Sequence, residues 1–76
     1  MKETLEFIAQ NLVDNPDAVE VTVKEDNRGM ILQLHVDPED MGKVIGRGGR
    51  TARAIRTVMK AAAIKQDVHV KVDIVD

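Results

Sequence analysis

Three stretches of this sequence alternate apolar and polar residues with a period of two, and they constrain the fold more than any other feature. Apolar side chains occupy every second position in residues 19–23, 30–36 and 68–74. This alternation predicts three β-strands, each with one buried face. A chain of 76 residues has a thin core, so the apolar face of such a sheet has to be covered by the helices that the rest of the chain forms.

The remaining segments carry the three-and-four spacing of apolar residues that is typical of helices. One predicted helix covers residues 2–13 and ends before Pro16. After the second strand, Asp37 and Pro38 followed by two acidic residues predict a helix start by capping. A short helix then runs through Ile45, and a longer one covers residues 50–63. The predicted order is α-β-β-α-α-β in an α+β fold.

The composition excludes several functional classes. The chain has no cysteine, serine, tyrosine or tryptophan, and Phe7 is its only aromatic residue. A disulfide framework, a thiolate metal site and the commonest nucleophiles are therefore absent. No apolar run approaches the ~18 residues of a membrane span, and the charged first residues do not resemble a signal peptide. We expect a cytoplasmic protein without membrane insertion, without a cofactor or metal, and without catalytic activity.

The segment Gly46-Arg47-Gly48-Gly49 lies between the two predicted helices. Glycines allow a sharp turn and a close approach of phosphate to the backbone, and the following helix begins with free N–H groups. A Walker A loop requires a Gly-Lys-Ser/Thr ending that residues 42–51 do not provide. A dinucleotide fingerprint requires a glycine where Thr51 stands. The spacing that remains is Gly-x-x-Gly between helices, which clamps about four nucleotides of single-stranded backbone in KH domains.

The charge distribution supports an anionic ligand, although the net charge of −2 taken alone argues against nucleic acid. Residues 41–66 contain seven basic residues and no acidic one, whereas the remainder carries a net charge of −9. Within the second helix of this segment, Arg50, Arg53, Arg56 and Lys60 fall within an arc of roughly 120°. A face of a single sign directly after a glycine loop predicts phosphate binding more than a solvated surface, which usually mixes signs.

Residues 44–55, Val-Ile-Gly-Arg-Gly-Gly-Arg-Thr-Ala-Arg-Ala-Ile, resemble the KH signature, in which apolar residues follow Ile-Gly-x-x-Gly at fixed spacing. The predicted element order over the whole chain is similar to the type II, mostly prokaryotic, KH arrangement. This resemblance implies that residues 1–76 form a single KH domain. It also implies a three-stranded mixed sheet with its helices packed on one face.

The resemblance and the charge pattern together predict the RNA-contacting residues. We expect the Gly48 and Gly49 amides, with Arg47 and Arg50, to hold two or three successive phosphates. The bases are expected in an aliphatic groove that includes Val44 and is bordered by the strand at residues 30–36. The other predicted members of the groove are Met41, Ile45 and Ile55, and Lys43 and Arg53 are predicted to flank it. The complete predicted site is Lys43, Val44, Ile45, Gly46, Arg47, Gly48, Gly49, Arg50 and Arg53.

The segments Leu-Val-Asp-Asn-Pro at residues 12–16 and Gly-Lys-Val-Ile-Gly at residues 42–46 are similar to those of small stand-alone bacterial KH proteins of the KhpA type. That resemblance implies single-stranded RNA as the ligand, and a homodimer or a heterodimer with a larger KH-containing protein of the KhpB/Jag/EloR type. It further implies a role as RNA chaperone or post-transcriptional regulator, with links to cell-envelope growth and cell shape.

Other interpretations of particular residues stay open at this point. Phe7 lies opposite the apolar stripe of the first helix, as either a surface aromatic or a contact with a second chain. The domain as a whole is either an RNA-binding unit or a protein-docking module. His35 and His69 are expected on the polar faces of their strands, possible neighbours across the sheet but too few for a metal site. The carboxylates at residues 37–40 fit helix capping better than catalysis.

Overall fold

The alternating segments form the three strands of one sheet in the computed structural model, which describes residues 1–75. The strands are β1 (Glu20–Asp26), β2 (Gly29–His35) and β3 (Val70–Val75), in the order β1-β2-β3. β1 pairs with β2 antiparallel, and β2 pairs with β3 parallel. The predicted mixed sheet is therefore confirmed, with β2 in its centre.

Three α-helices accompany the sheet: α1 (Lys2–Gln10), α2 (Met41–Ile45) and α3 (Arg50–Lys65). α1 ends earlier than predicted because the Asn11 side chain donates a hydrogen bond to the Phe7 carbonyl at 2.7 Å, and asparagine competes in this way with continued helix. α3 continues two residues beyond the predicted end. It stops before Asp67, whose φ of 56° places it in the left-handed region.

The helices bury the apolar face of the sheet, and one connected core results. Its fully buried large side chains come from every layer: Leu5, Leu32, Leu34, Val44 and Met59. The prediction was wrong for Val23 and Val68, which are 38% and 39% exposed. Val23 is the middle residue of the edge strand β1, and Val68 lies before the first residue of β3.

The predicted helix start after β2 is confirmed, although its first turn is a 3₁₀ turn over Pro38–Asp40. The Asp37 carboxylate accepts a hydrogen bond from the Glu39 N–H at 3.0 Å. That bond, with a second from the Asn15 side chain, lowers the pKa of Asp37. Capping therefore accounts for this acidic residue at the start of the helical segment.

The histidines lie at opposite ends of the sheet. His35 pairs with Val75, whereas His69 immediately precedes the Met30–Val70 pair. They are therefore not neighbours, because the parallel register separates them by the length of the strands. Within residues 1–75, no group of three or more His, Cys, Asp or Glu side chains is arranged to hold a metal ion.

We predict that Gly46→Ala destabilises the protein while Gly42→Ala does not. Gly46 has φ 76° and ψ 169°, a region that only glycine occupies without strain, so the substitution should cost about 1–3 kcal/mol. A Cβ at Gly46 would also stand 2.8 Å from the Thr51 amide nitrogen. Gly42 lies within α2, and a Cβ there meets no atom within 4 Å. Thermal unfolding of both variants tests this, and equal melting temperatures would contradict it.

Candidate nucleic-acid interface

The glycine segment forms the connection between α2 and α3. The chain leaves α2 at Gly46, makes a tight turn over Arg47–Gly49 and enters α3 at Arg50. Gly48 and Gly49 have φ values of 64° and 79°, both left-handed. A Cβ at Gly48 would meet no atom within 4 Å. Gly48 thus presents its backbone to open space, where a phosphate can approach it.

The backbone N–H groups of Gly48 and Gly49 were both expected to bind phosphate, but they differ in whether the turn already uses them. The Gly49 N–H donates to the Gly46 carbonyl at 3.1 Å, so the turn itself already uses it. The Gly48 N–H has no backbone acceptor among residues 1–75. The arrangement therefore favours Gly48 over Gly49 as a donor to an external anion.

Arg47, Arg50 and Arg53 surround this turn and are all exposed. The Arg53 guanidinium lies 3.9 Å from the position of a Cβ on Gly49, so this side chain folds toward the turn. No carboxylate among residues 1–75 lies within salt-bridge distance of these three arginines. Three guanidinium groups with fifteen possible N–H donors between them are therefore available to anions at one place.

Lys43 has different surroundings from those the sequence suggested. Its Nζ lies 3.1 Å from an Asp14 carboxylate oxygen and 3.6 Å from one of Asp40. The hydrogen bond and charge of Asp14 raise the pKa of Lys43, with a smaller contribution from Asp40. Lys43 is therefore paired with two carboxylates, and its position flanking the groove stays a prediction. In the sequence, the one indication of the Asp40–Lys43 ion pair was their separation of three residues, which brings two side chains together on a helix.

Asp40 is the only buried charged residue among residues 1–75, with 3% of its surface exposed. Its carboxylate accepts a hydrogen bond from the Asn15 backbone N–H at 3.0 Å. The Asn15 side chain in turn donates to Asp37 at 3.2 Å. These contacts attach the segment after α1 to the start of α2, and so fix the helix that carries Lys43 and ends at the glycine turn.

The structure has a shallow groove between α3 and β3, and none of the four side chains predicted to form the aliphatic groove lines it. Because β2 is the central strand, its two edges are already paired, whereas β3 leaves one edge free. Two basic residues of α3, Arg56 and Lys60, line a shallow groove with Val70, Lys71, Val72 and Asp73 of β3. Arg56 Nε donates to the Val72 carbonyl at 3.1 Å, and this bond joins the helix to the free strand edge.

The four apolar side chains that were predicted to form the groove fall into two sets, one that reaches the surface and one that lies in the core. Ile45 is 38% exposed and Met41 is partly buried. Val44 is fully buried and Ile55 nearly so, so neither side chain lines a surface groove. Their helical positions direct them into the core between the helices and the sheet.

The arrangement of these elements matches one family over almost the whole chain. A family model described as "KhpA/KhpB, KH domain" matches residues 2–74. This chain belongs to that family. Its α+β architecture, a three-stranded mixed sheet with three helices, agrees with the type II KH fold.

Curated members of the KhpA/KhpB family resemble this chain over nine tenths or more of their lengths. The RNA-binding protein KhpA of Clostridium acetobutylicum is 56% identical over 75 residues, which cover 99% of this chain and 100% of that one. The RNA-binding protein KhpA of Halalkalibacterium halodurans is 51% identical over 76 residues, covering both chains completely. The RNA-binding protein KhpA of Borreliella burgdorferi is 47% identical over 74 residues, covering 97% of this chain and 90% of that one.

None of the helices that this KhpA/KhpB family member forms within residues 1–75 is long and apolar enough to cross a bilayer.

We predict that Asp40→Ala destabilises the fold by about 1–3 kcal/mol, because it leaves the Asn15 N–H without its acceptor. Asp14→Ala is the matched control. It also removes a carboxylate from Lys43, but its side chain is 82% exposed, so we expect a change below about 0.5 kcal/mol. Denaturant unfolding measures both. Equal losses in the two variants would show that the Lys43 ion pairs, not the bond to Asn15, hold the segments together.

Proposed function

We propose that this protein is a non-catalytic, single-stranded RNA-binding protein of the cytoplasm. The observation that carries the proposal is the exposed glycine turn surrounded by Arg47, Arg50 and Arg53, which have no acidic partner among residues 1–75. Membership of the KhpA/KhpB family supports it, since curated relatives at about half identity are named RNA-binding proteins.

The proposed mechanism assigns phosphates to the turn and bases to the groove. The Gly48 N–H and the Arg47 and Arg50 guanidiniums bind successive phosphates, with Arg53 reaching the same point from α3. The bases turn toward the groove between α3 and β3. Because the groove has no aromatic side chain, the bases gain only van der Waals and hydrogen-bond contacts. The affinity for RNA is therefore modest, dependent on salt and weakly selective for sequence.

We predict that Arg47→Asp combined with Gly48→Asp weakens RNA binding on the order of 100-fold, because charge-assisted hydrogen bonds contribute about 1.5–3 kcal/mol each. Aspartate is among the residues that tolerate the left-handed conformation of Gly48. Filter binding to a single-stranded oligonucleotide at two salt concentrations measures the effect, with a DNA oligonucleotide of the same sequence for comparison.

The matched control is Lys2→Glu combined with Gln10→Glu, which changes the net charge equally on exposed positions of α1. It should retain nearly all of the affinity. Unchanged RNA binding by the turn variant at an unchanged melting temperature would refute the site. A wild-type protein with no RNA binding, or none that depends on salt, would instead favour a protein-docking module.

We further propose that the protein acts in pairs, as a homodimer or with a larger KH protein of the KhpB/Jag/EloR type. One KH unit holds about four nucleotides, and linking two sites increases avidity through effective concentration. Phe7 and Val58 support a protein contact, since they are 67% and 50% exposed apolar residues on helices. The physiological role that we propose is RNA chaperoning or post-transcriptional regulation, connected with cell-envelope growth and cell shape.

We predict that the wild-type protein sediments as a dimer at micromolar concentration, and that Phe7→Glu with Val58→Glu sediments as a monomer. Both side chains are exposed, so the paired substitution should leave the melting temperature of the monomer fold nearly unchanged. Analytical ultracentrifugation measures the mass. A wild-type monomer at all concentrations would refute homodimerisation, and a dimeric double variant would place the contact elsewhere.

A further inference from the structure

The groove beside α3 does not end at Lys60. It continues into a larger recess between the last turns of α3, the start of β3 and the β1–β2 hairpin. We name this the hairpin recess. Its apolar lining is Met30, Ile31, Ala63, Ile64, Val68 and Val70. Lys60, Val70 and Lys71 line both the groove and the recess, so the two are one continuous surface.

We propose that the hairpin recess is an additional nucleotide site, which extends the bound RNA beyond the length that the glycine turn and the groove hold. This inference rests on the proposed function. Arg56 and Lys60 line the groove, and a strand that passes them reaches the recess without leaving the protein surface.

The length of α3 supports a longer footprint. Ile64 lies fourteen residues beyond Arg50, which corresponds to roughly 21 Å along the helix at 1.5 Å per residue. A strand anchored at the turn therefore has to follow α3 over about four successive helical turns to reach the recess.

The apolar part of the recess provides a surface for a base. Ile64 is 69% exposed and Val68 is 39% exposed, and both line the recess. Burying such side chains against the flat face of a base removes apolar area from water, which stabilises the complex. The neighbouring groove lacks exposed apolar side chains of this size, since Val72 is 4% exposed.

The charges around the recess match an RNA strand better than an apolar protein segment. Arg28, Lys60 and Lys71 contribute cationic side chains to its lining. One acid, Asp26, also lines it, but its carboxylate accepts the backbone N–H groups of Arg28 at 2.7 Å and Gly29 at 3.1 Å. Lys71 has an acidic neighbour in Asp73 at 3.9 Å. Cations remain in excess, which favours a phosphate over a neutral partner.

The wall of the recess is fixed by backbone contacts. The Met30 N–H donates to the His69 carbonyl at 2.8 Å. A Cβ at Gly29 would stand 2.5 Å from that same carbonyl oxygen, so the hairpin and the segment before β3 approach closely. The Arg28 and Val68 sides of the recess are thereby held at a defined separation, and a ligand finds them already arranged.

Oligouridylates of four and of about eight nucleotides test the proposal. The variant is Arg28→Gln combined with Ile64→Ala, both outside the groove and on exposed positions. We expect the wild-type protein to bind the longer oligonucleotide about tenfold more tightly than the shorter one. The variant should bind the four-nucleotide RNA as tightly as the wild-type protein does. It should lose most of the additional affinity for the longer oligonucleotide. For the longer oligonucleotide, the plot of log affinity against log salt concentration should become less steep by about 0.7. That is the value for one phosphate contact on a single strand.

Lys2→Gln on α1 is the control for losing one positive charge, and it should keep the full gain with length. The proposal is overturned if the Arg28/Ile64 variant retains the wild-type gain. It is also overturned if the variant changes only the sedimentation of the protein, because the recess is then a contact between copies. Absence of binding to either oligonucleotide by the wild-type protein refutes the proposed function itself, and this site with it.

Discussion

The parallel pairing of β2 with β3 is the constraint on which the rest of the structure depends. Antiparallel β1 and β2 need only the short turn between Asp26 and Gly29. Parallel strands require the chain to return to the same end of the sheet, which takes a crossover of a dozen or more residues. Here the crossover extends from residue 36 to residue 69 and contains α2, the glycine turn and α3. The candidate site therefore lies in the connection that the sheet requires.

A buried carboxylate anchors the beginning of that crossover. Asp40 binds the Asn15 backbone N–H, and Lys43 one turn later meets both Asp14 and Asp40. Residues 12–16 and 42–46, which are far apart in the sequence, are thereby joined in the structure. The contact sets the position of α2 and hence the position from which the glycine turn starts.

The same contact modifies the electrostatic interpretation of the sequence. Residues 41–66 contain no acid, yet Lys43 is paired with acids from outside that segment. Arg56 is held by the Val72 carbonyl. The arginines around the turn keep their charge free of acidic partners within residues 1–75. A count of charges along the chain thus located the basic surface but overestimated how much of it is available to a ligand.

The sequence by itself determined the features that depend on neighbours along the chain. The alternating valines predicted the strands, Asp37 and Pro38 predicted the helix start, and the glycines predicted the turn. Periodicity, capping and backbone freedom all act within a few residues of the chain. Only the tertiary structure decided that a groove forms between α3 and β3, that Val44 lies in the core and that Lys43 pairs with Asp14. These outcomes depend on which distant segments meet, and strand order and ion pairs between remote residues leave little trace in local sequence patterns.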